Sequence, residues 1–136
     1  MNRAVFDTNV LVSGFLSASG PPGRIVEWLR SGGVQAVLDD RIFAEYAEVL
    51  ARPAFHFPAA EVEIVLATIR SNSFWIEVVA AHTARGLPDP DDAPFLECAR
   101  TAEVPLVTGN ARHFPKSVAG GAQILTPAQF VAALEK

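Results

Sequence analysis

Ala4-Val5-Phe6-Asp7-Thr8-Asn9 lies almost at the N-terminus and joins a short apolar run to an acid and two residues of helix-capping type. The apolar run predicts a buried strand, and Thr8 and Asn9 predict the cap of a helix over residues 10–15. Open α/β sheets usually bind their ligands at the edge formed by the C-terminal ends of their strands. The stretch therefore predicts that Asp7 lies at a functional edge, to which the rest of the chain brings other acids.

The composition is that of one folded domain with a hydrophobic core. The chain has 136 residues, of which 50% are hydrophobic, so we expect a single domain over residues 1–136. The net charge of −4 does not favour a nucleic-acid-binding protein, although a local basic patch is compatible with it.

Cysteine content and hydropathy bear on where the protein works. The single Cys98 cannot form an internal disulfide, which favours a cytoplasmic location. No apolar run approaches the ~18 residues of a membrane span, and the N-terminus lacks the pattern of a signal peptide. We therefore expect no membrane contact.

Predicted strands and helices alternate along the rest of the chain. Strands are predicted at 34–38, 74–80, 105–108 and 123–125, and helices at 24–29, 41–51, 60–70, 91–101 and 128–134, with loops at 17–23 and 82–90. Residues 109–121 read as mostly loop, with room for one helical turn. The alternation predicts an α/β fold with a parallel sheet, helices on both faces and right-handed crossovers.

Position selects Glu45 among the acids of the helix at 41–51. Each residue of a helix turns about 100°, which places Glu45 about 100° and Glu48 about 160° from the centre of the apolar stripe. Glu48 is then expected to face water, and Glu45 to lie at the border of the buried face, where it can reach a cleft. The alternative is that Glu45 is an ordinary flanking acid.

The helix after Pro90 carries an acid on its buried side. Asp92 falls within about 30° of the centre of the apolar stripe, and a buried carboxylate is costly unless it is paired or bound to a metal. The alternative is that Asp91 or Asp92 is simply the helix cap. However, Asp89, Asp91 and Asp92 cannot all cap one helix, and their surplus charge favours a bound cation.

Three acids on three separate elements are therefore expected to lie at one edge of the sheet. Asp7 alone is explained slightly better as a strand-end acid that caps the next helix than as a catalytic residue. Asp7, Glu45 and Asp92 together would repel one another and raise each other's pKa. Hard divalent cations relieve such repulsion, and Mg²⁺ or Mn²⁺ prefers carboxylate oxygens together with water.

Residues 108–114 follow the predicted strand at 105–108 and should lie at the same edge. The carbonyl oxygen of Asn110 can ligate a metal or bind a water, but it brings no charge. Arg112 and His113 could hold a phosphate. The alternative is a turn with Asn110 in the left-handed conformation and two solvated basic side chains.

Four stretches in order resemble those of a PIN domain, namely 5–13 around Asp7, 45–50 from Glu45, 89–99 around Asp92, and 106–110 with Thr108 and Asn110. More narrowly, the chain resembles the toxin components of bacterial toxin–antitoxin pairs. The resemblance implies a three-layer α/β/α sandwich with a central, mainly parallel sheet. It also implies a Mg²⁺- or Mn²⁺-dependent ribonuclease that cuts RNA.

The resemblance assigns the family's acids to Asp7, Glu45 and Asp92, as catalytic residues and metal ligands. Thr8, Asn9, Asp91, Thr108, Arg112 and His113 are then candidates for supporting these ligands or contacting RNA. The implied partners are RNA and a cognate antitoxin protein, and a second copy of the chain is a further candidate.

The family pattern commonly has an acid where this chain has Asn110, which puts a second metal ion in doubt. This departure favours the alternative that the chain is a weakened PIN-like domain that binds RNA or a protein. A third hypothesis is phosphotransfer through an aspartyl-phosphate on Asp7. That chemistry requires an acid two residues later, where this chain has Asn9.

Overall fold

Short apolar segments and amphipathic helices alternate in the computed structural model, which describes residues 2–135. Within that range, the strands are Arg3–Phe6 (β1), Gln35–Leu38 (β2), Phe74–Trp75 (β3), Leu106–Val107 (β4) and Ile124–Leu125 (β5). The helices are Thr8–Leu16 (α1), Pro21–Ser31 (α2), Asp40–Leu50 (α3), Ala59–Asn72 (α4), Ala93–Ala102 (α5), Lys116–Ala119 (α6) and Pro127–Leu134 (α7).

The strands form one parallel sheet in the order β3-β2-β1-β4-β5. Strand β1 is central, and its residues Val5 and Phe6 pair with Leu106 and Val107 of β4. These four side chains are fully buried, as expected for a parallel sheet that is covered on both faces. The strand order reverses between β1 and β4, so the crevice above this pair is the topological switch point, where α/β folds bind ligands.

The helices cover the two faces of the sheet and confirm the predicted α/β/α architecture. Helix α5 packs across β1, β2 and β4, whereas α2 packs against α1, α4 and α7. Helix α3 contacts both α1 and α5, so it lies near the β1–β4 crevice. No helix within residues 2–135 is both long and apolar enough to cross a membrane.

Two predicted element boundaries differ from the structure by three residues or more. Helix α2 begins at Pro21 rather than residue 24, because prolines are compatible with the first positions of a helix. Strand β3 ends at Trp75 instead of reaching residue 80. Its neighbour in the sheet, β2, ends at Leu38, whose carbonyl accepts one last hydrogen bond from the N–H of Ile76. Within residues 2–135, the residues that follow have no strand to pair with.

The helix-end signals in the sequence were more reliable. Gly32 ends α2 in the left-handed conformation, with φ of 88°, which is the conformation that favours glycine. Thr126 and Gln129 form the predicted capping box at the start of α7. The loop expected at 109–121 contains a 3-10 turn, Ala111–His113, and the short α6.

Candidate functional site

Asp7 lies at the C-terminal end of β1 and occupies the N-cap position of α1. The prediction that Thr8 and Asn9 cap this helix was therefore wrong by one residue. The Asp7 side chain makes no capping hydrogen bond. Its Oδ2 instead accepts hydrogen bonds from Thr108 Oγ1 at 2.8 Å and from Asn9 Nδ2 at 3.2 Å. The carboxylate is therefore oriented by β4 and α1 together.

A short network of polar groups joins the ends of β1 and β4 around Asp7. The side-chain oxygen of Asn9 accepts the backbone N–H of Gly109 at 3.0 Å. The hydroxyl of Thr108, which is fully buried, accepts the backbone N–H of Asn110 at 3.0 Å. Since Thr108 also donates to Asp7, this network fixes the loop after β4 relative to the carboxylate.

Glu45 is half-buried on α3 and faces the start of α1. Its Oε2 accepts a hydrogen bond from the hydroxyl of Thr8. The next residue, Tyr46, is buried and donates its hydroxyl to the carbonyl of Phe6, which ties α3 to the end of β1. Glu48 lies on the solvent side, as the helical spacing predicted, and its side chain is 62% exposed.

Asp92 reaches the same edge from a 3-10 turn, Pro90–Asp92, that leads into α5. Its side chain is only 14% exposed, and its Oδ2 lies 2.9 Å from Nδ1 of His113. Asp92 occupies the N-cap position of α5, as one of the two predicted caps, but its side chain makes no capping hydrogen bond. Asp89 caps the 3-10 turn by accepting the N–H of Asp91 at 3.0 Å.

The remaining predicted residues lie on the loop after β4 or on the surface nearby. Asn110 is half-buried, and its φ of −138° excludes the left-handed turn that was the alternative explanation for this residue. Arg112 is exposed on the 3-10 turn that also carries His113. Asp91 is exposed, and its charge contributes to raising the pKa of Glu45.

Burial and mutual repulsion disfavour the charged forms of the three acids. Burial raises the pKa of Asp7, and the charge of Asp92 raises it further. Burial likewise raises the pKa of Glu45, with a contribution from Asp7. Burial, then the charges of Asp89 and Glu45, raise the pKa of Asp92. The hydrogen bonds that these carboxylates accept oppose the rise only in part. The three acids therefore form one electrostatically coupled cluster.

This coupling predicts a specific pH dependence of stability in the absence of metal. An acid with a raised pKa in the folded state binds more protons when folded than when unfolded, so its contribution to stability falls as the pH rises. The free-energy cost of ionising the acid in the folded protein begins near the pKa of the unfolded chain, close to 4. It is fully present at pH values above the raised pKa of the folded state. In EDTA, Glu45→Gln should therefore become more stable relative to the wild type as the pH rises from 4 to 7.

Urea unfolding at several pH values would measure this difference. Glu48→Gln is the matched control, because it removes an exposed acid from the same helix. If the two variants follow the same pH dependence, Glu45 does not carry the cost that its environment implies.

The chemistry of these oxygen atoms fits a hard divalent cation. Each of the three acids has one carboxylate oxygen in a side-chain hydrogen bond, Asp7 with Thr108, Glu45 with Thr8 and Asp92 with His113. No side chain within residues 2–135 donates to the second oxygen of any of these carboxylates. Such outer partners orient metal-binding carboxylates in proteins. However, no three His, Cys, Asp or Glu side chains in that range lie close enough together to ligate one ion. Ion binding would require the acidic side chains to turn toward each other.

Two features of this region were not predicted from the sequence. Tyr46 was assigned only to the apolar stripe of its helix, although its hydroxyl anchors α3 to β1. Arg41 forms ion pairs with Asp39 and Glu97 beside the acid cluster. The signal for the second feature was present, because Glu97 is an acid within a continuous run of buried residues on α5.

Comparison with known proteins identifies one relationship. The family model described as PIN domain matches residues 3–112, which include Asp7, Glu45, Asp92 and Asn110. A search of curated proteins returns no match.

Proposed function

The chain belongs to the PIN-domain family, and on this premise we propose that it is a Mg²⁺- or Mn²⁺-dependent ribonuclease. PIN domains are in general nucleases and usually use divalent metal ions. The observation that supports the proposal is that Asp7, Glu45 and Asp92, on three separate elements, are close enough for their charges to raise one another's pKa. Each carboxylate accepts or shares a side-chain hydrogen bond through one of its oxygens.

In the proposed reaction, Asp7, Glu45 and Asp92 hold the cation and Asn110 is a weaker fourth ligand. Bound Mg²⁺ or Mn²⁺ would lower the pKa of a water molecule and neutralise charge on the scissile phosphate. Thr8, Asn9 and Thr108 keep the carboxylates in fixed orientations through the hydrogen bonds described above. His113 orients Asp92, and the exposed Arg112 on the same turn binds a neighbouring phosphate of the RNA.

The direct test is an RNA cleavage assay with the purified protein. A fluorescently labelled single-stranded RNA should be cut in the presence of Mg²⁺ or Mn²⁺ and should stay intact in EDTA. Cleavage that is unaffected by EDTA would contradict a metal-dependent reaction.

We further propose that this ribonuclease acts in the cytoplasm as a single-domain toxin, neutralised by a cognate antitoxin protein. Induced expression in a bacterial host should then arrest growth, whereas expression of Asp7→Asn should not. Equal growth of cells that express the two proteins at the same level would contradict a toxin role. A homodimer is compatible with this function, and size measurements in solution would test it.

A second candidate function is an RNA-binding module without useful activity. Asn110 is the observation that favours it, since a neutral side chain stands where the family pattern has an acid. Binding without cleavage of the same RNA, in saturating Mn²⁺, would support this alternative over the ribonuclease.

Asn110→Asp should restore an anionic oxygen with almost unchanged shape. If Asn110 is a ligand, added charge tightens divalent-cation binding, and the Mn²⁺ concentration for half-maximal RNA cleavage should fall several-fold. A titration of cleavage against Mn²⁺ for both proteins measures this shift. Superimposable curves would remove Asn110 from the site and leave Asp7, Glu45 and Asp92.

A further inference from the structure

A partly buried ion-pair bridge lies beside the acid cluster and is not used by the proposed reaction. The guanidinium of Arg41 on α3 contacts Asp39 Oδ2 at 2.8 Å and Glu97 Oε1 on α5 at 2.8 Å. The second oxygen of Glu97 accepts the backbone N–H of Ala84 at 2.9 Å. Asp39 caps α3 by accepting the N–H groups of Arg41 and Ile42. The bridge therefore joins the end of β2, two helices and a loop.

The burial of this bridge makes it an unusual feature for a small domain. The Glu97 side chain is only 7% exposed and that of Asp39 12%, whereas Arg41 is about half exposed. Buried ion pairs seldom add net stability relative to apolar residues, because both charges must leave water. What such a bridge does supply is a fixed geometry between the elements that it joins.

The geometry that it fixes is that of the acid cluster. Arg41 precedes Glu45 by four residues, so the two side chains lie on one face of α3, about 6 Å apart along its axis. Glu97 lies on α5, the helix that Asp92 immediately precedes. The contact between Arg41 and Glu97 thus joins the two helices four residues before Glu45 on α3 and five residues after Asp92 at the start of α5.

We propose that Arg41 is a positioning residue, which through Glu97 sets the spacing between α3 and α5 and so places Glu45 opposite Asp92 for a shared divalent cation. The proposal rests on the proposed function, since it gives the bridge a role only if the acids bind a metal. It goes beyond that function because it makes metal affinity depend on residues that do not touch the metal.

The test is a double variant that removes the contact between Arg41 and Glu97 without leaving the charge of Glu97 unpaired. Asp39 loses the guanidinium but keeps the hydrogen bonds from the backbone N–H groups of residues 41 and 42. Arg41→Met with Glu97→Gln replaces both charges, and the Gln side-chain oxygen can still accept the N–H of Ala84. The matched control is Arg52→Met with Glu48→Gln, which removes an exposed ion pair from the same helix. Mn²⁺ binding by calorimetry and melting in EDTA are measured for both variants and the wild type.

We expect the bridge variant to bind Mn²⁺ about tenfold more weakly, the lower end of the range for lost supporting contacts, with an unchanged melting temperature in EDTA. The control should match the wild type in both measurements. Arg41→Lys is a second variant in case the first does not fold. A lysine is a point charge without the planar fork of arginine, so we expect a smaller loss of affinity.

The possible outcomes separate the two proposals. If folded bridge variants bind Mn²⁺ as the wild type does, the positioning role is overturned and the proposed function stands. If weaker binding comes with a matching loss of melting temperature in EDTA, the bridge serves general stability and the positioning role is again overturned. If the wild type itself binds no Mn²⁺, the proposed function fails, and the positioning role fails with it.

Discussion

RNA cleavage should fall by more than ~100-fold when Asp7 is replaced by Asn, because loss of a metal ligand should exceed the 10–100-fold effect of losing an outer partner. The substitution keeps the shape of the side chain, and its remaining oxygen can still accept the hydroxyl of Thr108. The fold should therefore persist while the anionic oxygen is lost. Initial cleavage rates at saturating Mn²⁺ measure the effect.

Asp40→Asn is a suitable control for this experiment. Asp40 is the first residue of α3 and is exposed, so the same chemical change there should leave the cleavage rate close to that of the wild type. Retention of activity in Asp7→Asn would exclude Asp7 as a metal ligand. Equal losses in both variants would point to an effect of net charge on RNA binding.

The second large effect should distinguish two glutamates that lie three residues apart. Glu45→Gln should lower the cleavage rate by about 100-fold, since it removes a proposed ligand, whereas Glu48→Gln should leave the rate unchanged. The reason is their placement, because Glu45 faces Thr8 at the start of α1 and Glu48 pairs with Arg52 in solvent. The cleavage rates of the two variants are compared with that of the wild type, first at one RNA concentration and then at several.

Glu45→Gln should also be more stable than the wild type in EDTA at neutral pH. The reason is that it removes a charge that burial and the neighbouring acids disfavour in the folded protein. Added Mn²⁺ should then raise the melting temperature of the wild type more than that of Glu45→Gln, because a ligand stabilises the state that binds it. A Glu45→Gln protein that is inactive and also less stable in EDTA would show that Glu45 has a structural role.

Much of the fold followed from local patterns in the sequence. The apolar run before Asp7, the helical stripe around Glu45 and the capping box at Thr126 each have a local physical cause, and each was read correctly. The length of β3 could not be predicted in this way. Whether residues 77–80 pair depends on where β2 ends, and β2 ends at Leu38 because Asp39 caps α3.

The sequence predicted the helix faces on which Glu45 and Glu48 lie, but not the hydrogen bonds around Glu45 and Asp92. The helical spacing distinguished Glu45 from Glu48 because burial follows a period of 3.6 residues. It could not show that Thr8 donates to Glu45 or that His113 contacts Asp92. Those contacts join residues far apart in sequence, and they depend on how α1, α3 and the loop after β4 pack.

The central claim is that Asp7, Glu45 and Asp92 bind one divalent cation at the switch point between β1 and β4. Diffraction from crystals soaked in Mn²⁺, with an anomalous difference map, tests this claim most directly. We expect a peak within about 2.3 Å of carboxylate oxygens from all three residues, a distance typical of hard cations. A bound Mn²⁺ elsewhere, for example at Asp39 and Glu97, with no peak at the three acids would contradict it.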